Sequence, residues 1–172
     1  SKDPLKDIVK FVEVDKLETI GFDNQVSFAY YQALQAIFEG YTLSPQTNFM
    51  EELRMIKDEK ELATIRKACS ISDRAFTDVL DFIKPGQTTE LQVANFLDFR
   101  MREYGASGIS FESIIASGYR SAMPHGVASD KVIQSGETLT MDFGCYYNHY
   151  VSDMTRTIHI GETTDEEREI YD

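Results

Sequence analysis

Basic residues, cysteines and long apolar runs are all scarce in this chain of 172 residues. Lys and Arg number 17 against 29 Asp and Glu, which gives a formal charge of −12. A surface of that sign repels nucleic acid and anionic membranes, so we expect neither as a partner. No stretch of the sequence approaches the ~18 consecutive apolar residues that indicate a membrane-spanning helix.

The two cysteines, Cys69 and Cys145, lie far apart and form no CxxC pair. This favours two reduced thiols in a cytoplasmic protein over a disulfide or a zinc site. The composition, 42% hydrophobic and 27% charged, is typical of a globular protein, and there is no internal repeat or low-complexity run. We therefore expect one folded core, or one domain joined to part of another.

Residues 1–53 indicate the C-terminal part of a small α/β domain. The predicted elements are a β-branched strand over 7–14, a strand over 19–22, a helix from its cap at Asn24 to about Phe38, and a strand near 49–56. These elements are too few to form a complete domain, and we expect its beginning to be missing.

Residues 54–172 predict a second domain that opens with two helices. Asp58 and Glu61 form a capping box, so the first helix begins at Asp58. Its apolar positions recur at helical spacing and include Leu62, Ile65, Cys69, Ala75, Phe76, Val79 and Ile83. Thr88 or Thr89 is expected to cap the second helix. Both helices are interpreted as core packing, and no residue on them is singled out for chemistry.

The pattern changes from helix to strand at Ile109. The predicted elements are a strand over 110–118, a loop over 119–136, strands over 138–146 and 149–160, and a helix from Thr164. The fold class is therefore α+β. The chain stops inside its last predicted helix, and we expect it to be cut short at this end.

Two aspartates in the last pair of strands form the most informative pattern. A hairpin with its loop at Tyr147-Asn148 would place Asp142 directly opposite Asp153. A loop at Asn148-His149 would place Asp142 opposite Thr155, with Asp153 as a diagonal neighbour. The two acids share a face in either register, and only an odd-length loop would separate them.

Two carboxylates on one face repel each other unless a proton, a cation or a metal compensates them. The alternative to a metal site is that one aspartate pairs with Arg156 while the other lies on the surface. Spacing alone leaves both interpretations open. Oxygen ligands favour Mn²⁺ or Mg²⁺ and also accept Co²⁺ or Zn²⁺.

His125 lies between Pro124 and Gly126 in the predicted loop. A histidine there could donate a hydrogen bond to a substrate carbonyl or a developing oxyanion. The alternative is an exposed loop histidine without a role. The other two histidines, His149 and His159, are interpreted as surface residues rather than ligands.

Taken together, these motifs resemble the pita-bread metallopeptidase family, in particular its Xaa-Pro aminopeptidase (aminopeptidase P) and Xaa-Pro dipeptidase (prolidase) branch. The motifs are Pro124-His125-Gly126, Gly136 to Leu139, Met141-Asp142-Phe143-Gly144, Tyr150 and Ser152-Asp153-Met154-Thr155-Arg156-Thr157. The resemblance implies the end of a creatinase-like N-terminal domain over 1–53, followed by the first half of the catalytic fold over 54–172.

The resemblance also implies roles for individual residues. Asp142 matches an acid that holds one metal, Asp153 matches an acid that bridges two, and His125 matches a histidine that helps to stabilise the tetrahedral intermediate. Arg156 is expected to orient an acid from outside the metal site. The family completes its site with a later His and two Glu, which lie outside this chain.

The function implied for the intact protein is hydrolysis of the Xaa-Pro bond in peptides or dipeptides by two divalent metal ions, with Mn²⁺ expected and Co²⁺ or Zn²⁺ as alternatives. A proline-containing peptide is the implied substrate and a homodimer the implied assembly, while the chain by itself is expected to be inactive. The competing hypotheses are a non-catalytic binding module and a creatinase-type amidinohydrolase on the same fold.

Overall fold

The structure, a computed structural model, describes residues 7–10, 12 and 17–171. It divides into two compact units between Lys57 and Asp58. The mixture of helices with separate small sheets confirms the α+β class. None of the helices in this described part is long and apolar enough to cross a lipid bilayer.

The first unit contains two parallel strands and the helix that connects them. Its elements are β1 (Thr19–Asp23), α1 (Phe28–Ile37), β2 (Thr42–Gln46) and α2 (Phe49–Met55). Thr19 lies opposite Thr42, and the register continues to the ends of both strands. A parallel pair needs a crossover connection, and α1 provides it. Leu34 and Phe38 pack with Val12 in the small core of this unit.

The strand predicted over 7–14 is wrong. Residues 7–10 and 12 are helical, while 11, 13 and 14 lie outside the described residues. A β-branched composition is a weak preference that packing overrides, and here Val12 is buried against the core residues of α1.

The strand predicted near 49–56 is also wrong, because 49–55 form α2. That segment contains no β-branched residue and is rich in Met, Leu and Glu, which favour a helix. The strand lies earlier, at Thr42–Gln46, and tolerates Pro45 because it is an edge strand of the described sheet. Ser27 rather than Asn24 caps α1, since its hydroxyl accepts a hydrogen bond from Tyr30 N at 3.2 Å.

The second unit begins with the two predicted helices, α3 (Glu59–Phe82) and α4 (Glu90–Glu103). The capping box of Asp58 and Glu61 is confirmed, with the Asp58 carboxylate 2.8 Å from Glu61 N. Thr89 caps α4, and Gln92 completes a second capping box. The buried face of α3 differs in part from the prediction, because Ala68 and Ile71 are buried while Cys69 is exposed.

The strands of the second unit form two three-stranded sheets. The strands are β3 (Gly108–Ile109), β4 (Ile114–Ser117), β5 (Thr138–Phe143), β6 (Cys145–Tyr147), β7 (Tyr150–Val151) and β8 (Met154–His159), and α5 (Asp165–Tyr171) follows them. The order is β4-β5-β8 in one sheet and β3-β6-β7 in the other. The hairpin strands predicted as continuous are each divided in two, with breaks at Gly144 and at 152–153.

The central strand β5 separates an apolar face from a polar face. Leu139, Met141 and Phe143 are fully buried in the core that also contains residues of α3 and α4. Phe143 stacks on Phe76 of α3 with ring centroids 6.5 Å apart. The alternate residues of β5 are partly exposed, and Asp142 is one of them. The core therefore fixes the direction in which the Asp142 carboxylate points.

Candidate active site

The hairpin turn that sets the register lies at Asn148-His149. Tyr147 pairs with Tyr150, and both turn residues have positive φ, 46° at Asn148 and 69° at His149. These angles suit a type I′ turn, whose twist matches that of the flanking strands. Of the two registers considered, the one with Asp142 opposite Thr155 is correct, and the loop at Tyr147-Asn148 is wrong.

Asp142 accepts a hydrogen bond from the residue directly across the sheet. Thr155 Oγ1 lies 2.9 Å from Asp142 Oδ1. The bond holds one carboxylate oxygen in place and leaves Asp142 half-exposed on the polar face. Asp142 is thus oriented by a neighbouring side chain on a partly exposed face of the sheet.

Asp153 lies in the break between β7 and β8, two residues before Thr155. Its side chain is exposed, whereas those of Ser152 and Met154 on either side are buried. This alternation places the Asp153 carboxylate on the same side of the chain as Thr155, and hence toward the face of Asp142.

The buried residue Ser152 fixes the backbone beside Asp153. Its hydroxyl lies 2.6 Å from that of Ser72 on α3 and accepts a hydrogen bond from Cys145 N at 3.0 Å. Its carbonyl oxygen accepts from Ser110 Oγ at 3.0 Å. A side chain at Gly144 would overlap this same carbonyl, so the close approach of the two chains requires glycine there.

His125 is exposed and lies near the same end of the sheet. Val127, two residues further on, bridges to Ile114 of β4, and Ile114 also pairs with Asp142 on β5. Because neighbouring strands are ~4.7–4.9 Å apart, the backbone at Val127 lies roughly 10 Å from that at Asp142. The fold thus brings the histidine loop and the aspartates, which are distant in sequence, to one region.

Arg156 does not pair with either aspartate, so the alternative that proposed such a pair is wrong. It lies opposite Met141 and donates to the Thr155 carbonyl oxygen at 2.8 Å. No ion pair between Arg156 and either aspartate is present in the described part of the chain. Alternation along β8 accounts for this, because a residue between Thr155 and Thr157 points to the opposite face.

The two other histidines differ in their surroundings. His149 is exposed at the hairpin turn, as predicted for a surface residue. His159 is half-buried, and its Nε2 lies 3.3 Å from a Glu167 carboxylate oxygen. Neither belongs to a cluster of three or more metal-ligating side chains within the described ranges.

Glu90, at the start of α4, was given no role from the sequence and is fully buried. Burial alone would raise its pKa, but hydrogen bonds from Ser129 and Ser117, together with the Arg120 guanidinium, hold the pKa below its usual value. An acid in the first turn of a helix is ordinarily explained by the helix dipole. The sequence carries no signal that distinguishes this buried acid from an exposed one.

The donor set at the polar face fits hard divalent cations. Asp142 and Asp153 provide carboxylate oxygens toward one side, and Thr155 orients the first of them. Two carboxylates alone cannot complete the coordination of a metal ion, which commonly takes four or more ligands. A metal ion held by these two residues would therefore need further ligands.

Comparison with known proteins identifies the family of each part of the chain. Residues 63–172 match the model of metallopeptidase family M24, and residues 2–56 match that of the creatinase/prolidase N-terminal domain. The chain belongs to metallopeptidase family M24. The pita-bread fold expected from the sequence is confirmed for part of that domain, and the family name itself implies metal ions as cofactors.

The chain is similar to proteins from several bacteria. It is 44% identical over 161 residues to an uncharacterized peptidase of Bacillus subtilis, covering 93% of this chain and 45% of that protein. An Xaa-Pro dipeptidase structure from Bacillus anthracis matches with 42% identity and a TM-score of 0.86, covering 97% of this chain and 47% of the other. An X-Pro aminopeptidase structure from Thermotoga maritima matches with 38% identity and a TM-score of 0.89, covering 98% and 48%. The chain thus spans about half the length of these relatives.

Proposed function

We propose that this chain supplies the first half of the active site of a two-metal peptidase, which hydrolyses the Xaa-Pro bond at the N-terminus of peptides or in dipeptides. The observation that carries the proposal is the register that sets Asp142 against Thr155, together with the exposed Asp153 two residues before Thr155. The similarity to an Xaa-Pro dipeptidase and an X-Pro aminopeptidase supports the choice of substrate.

Each proposed residue has one task in this function. Asp142 and Asp153 would hold the metal ions, with Asp153 shared between two, and a His and two Glu outside this chain would complete the site. Bound metal lowers the pKa of a coordinated water and so provides a nucleophile at neutral pH. His125 donates a hydrogen bond to the substrate carbonyl oxygen as that oxygen gains negative charge.

The domain assignment follows the same proposal. Residues 1–53 belong to the creatinase-like N-terminal domain and residues 54–172 to the catalytic domain. The division of the structure between Lys57 and Asp58 supports this assignment, as do the two family models, which meet between residues 56 and 63. We further propose Mn²⁺ as the metal, a homodimer as the assembly and the cytoplasm as the location. The two free cysteines support the last of these.

The direct test is a substrate panel on a protein that carries this chain together with the remaining ligands. Xaa-Pro dipeptides, longer peptides with proline at the second position, matched peptides with alanine there, and creatine are compared after loading with Mn²⁺. Hydrolysis restricted to the proline-containing peptides supports the proposal. Cleavage of creatine alone, or binding without turnover, would instead identify an amidinohydrolase or a binding module.

A further inference from the structure

Glu90 accepts hydrogen bonds from three residues that are distant in sequence. Its Oε1 accepts from Ser117 N at 2.8 Å and from Ser117 Oγ at 2.9 Å. Its Oε2 accepts from Arg120 Nε at 3.0 Å, from Ser129 N at 3.2 Å and from Ser129 Oγ at 2.6 Å. Every donor belongs to the segment from Ser117 to Ser129, so one carboxylate joins the two ends of that segment.

The same segment carries His125. Arg120, held by Glu90, reaches across the segment and donates from Nη2 to the Val127 carbonyl oxygen at 2.6 Å. Val127 N in turn donates to the His125 carbonyl oxygen at 2.9 Å. A continuous chain of hydrogen bonds therefore runs from the buried carboxylate to the backbone of the exposed histidine.

Helix α4 does not require a buried acid at this position. An exposed Glu in the first turn would interact with the helix dipole equally well, without the cost of removing a charge from water. Thr89 and Gln92 already satisfy the capping groups of the helix. The buried carboxylate thus stabilises the Ser117–Ser129 segment and is not needed to stabilise α4.

We propose that Glu90 is a positioning residue for the reaction, which acts by holding the Ser117–Ser129 segment, and with it His125, in place. The proposal rests on the proposed function insofar as His125 takes part in catalysis. Displacement of a catalytic group by ~1 Å can cost roughly 10²-fold in rate, so a loop that carries such a group benefits from a rigid anchor.

A double-mutant cycle tests this role in the protein with the complete active site. Glu90→Gln keeps the side-chain shape but directs an NH₂ group at donors, so the anchor fails. We expect kcat to fall by roughly 10-fold or more, with little change in KM or metal content. In a His125→Ala background, the same change should lower kcat by less than about twofold, because Glu90 acts through His125. An equal loss in both backgrounds would overturn the proposal.

A matched control and a milder variant accompany the cycle. Asp78 is another carboxylate of this unit that accepts from an arginine, Arg100 Nε at 2.7 Å, and it is not among the groups that hold the His125 segment. Asp78→Asn should leave kcat near that of the wild type.

If Glu90→Gln fails to fold, Arg120→Lys replaces it in the cycle, since a lysine cannot bond both Glu90 and Val127 in the same way. The same coupling with His125 is expected, and its absence counts against the proposal.

A second measurement needs no turnover and separates this proposal from the proposed function. Amide hydrogen exchange over residues 118–128 should be faster in Glu90→Gln than in the wild type, and unchanged in Asp78→Asn. Unchanged exchange in Glu90→Gln refutes the anchor even if the protein hydrolyses Xaa-Pro peptides. Faster exchange in Glu90→Gln, combined with a wild-type protein that does not hydrolyse Xaa-Pro peptides, would support the role of Glu90 and reject the proposed function.

Discussion

Thr155 donates a 2.9 Å hydrogen bond from its hydroxyl to the carboxylate of Asp142, the residue directly opposite it across β5 and β8. The bond occupies one oxygen of the proposed metal ligand and fixes the orientation of the group. Partners of this kind, one step removed from the metal, commonly change metal affinity by ~10–100-fold when they are removed.

Thr155→Val should therefore weaken metal binding by roughly tenfold or more in the protein with the complete site. A calorimetric titration with Mn²⁺ measures the change in the dissociation constant of the metal. Thr140→Val is the matched control, because Thr140 lies on the same polar face and faces Thr157 rather than Asp142. Equal affinities in the two variants would show that the hydroxyl does not prepare Asp142 for a metal.

His125→Ala should lower kcat by about 10²–10³, the usual cost of losing one donor to a developing oxyanion. KM should change much less, since the hydrogen bond is weak to the ground state. Metal content should stay at the wild-type level because His125 is not proposed as a ligand. Near-normal rates would identify an ordinary loop residue, while a parallel loss of metal would identify a ligand.

Gly144→Ala should destabilise the second unit by about 1–3 kcal/mol or more, because the added methyl overlaps the Ser152 carbonyl oxygen beside Asp153. Gly108→Ala is the control: its new methyl would lie 3.7 Å from the Arg102 side chain, an ordinary contact. Urea denaturation of both variants compares their free energies of unfolding. If the two lose equal stability, the close approach at Gly144 does not constrain this part of the fold.

The buried Glu90 should make stability depend on acid pH. Its folded-state pKa is lowered below the ordinary value of 4.5, so its contribution is present above that value and is lost as the pH falls through the folded pKa. The difference in unfolding free energy between wild type and Glu90→Gln should be greatest near neutral pH and shrink below about pH 4.5. Urea denaturation from pH 7 to pH 3 measures it, and a constant difference would contradict the assignment.

Local signals in the sequence predicted those parts of the site that depend on neighbours along the chain. A capping box located the first long helix of the second unit and a threonine cap the second, and the even loop length kept Asp142 and Asp153 on a common face in either register. The choice between the registers depended on which two residues could adopt positive φ. The sequence left both turns open, Tyr147-Asn148 and Asn148-His149, and the structure places the turn at Asn148-His149.

Features that depend on distant contacts could not be predicted. The burial of Glu90 follows from three partners spread over residues 117–129, and no local pattern indicates them. The helical conformation at 7–10 and 12 has a similar origin, since a β-branched composition favours a strand until packing decides otherwise. Alternation along β8 likewise decides which side chain contacts Asp142, and that side chain is Thr155 rather than Arg156.

The metal content of Asp153→Asn tests the central claim most directly. In a protein with the complete site, elemental analysis of this variant should show the loss of at least one metal ion per chain, together with the loss of Xaa-Pro hydrolysis, because the bridging charge is gone. Asp130→Asn, at an exposed aspartate of the same unit, should retain both metal and activity. Wild-type metal content in Asp153→Asn would contradict the assignment of Asp153 as the shared ligand and, with it, the proposed two-metal site.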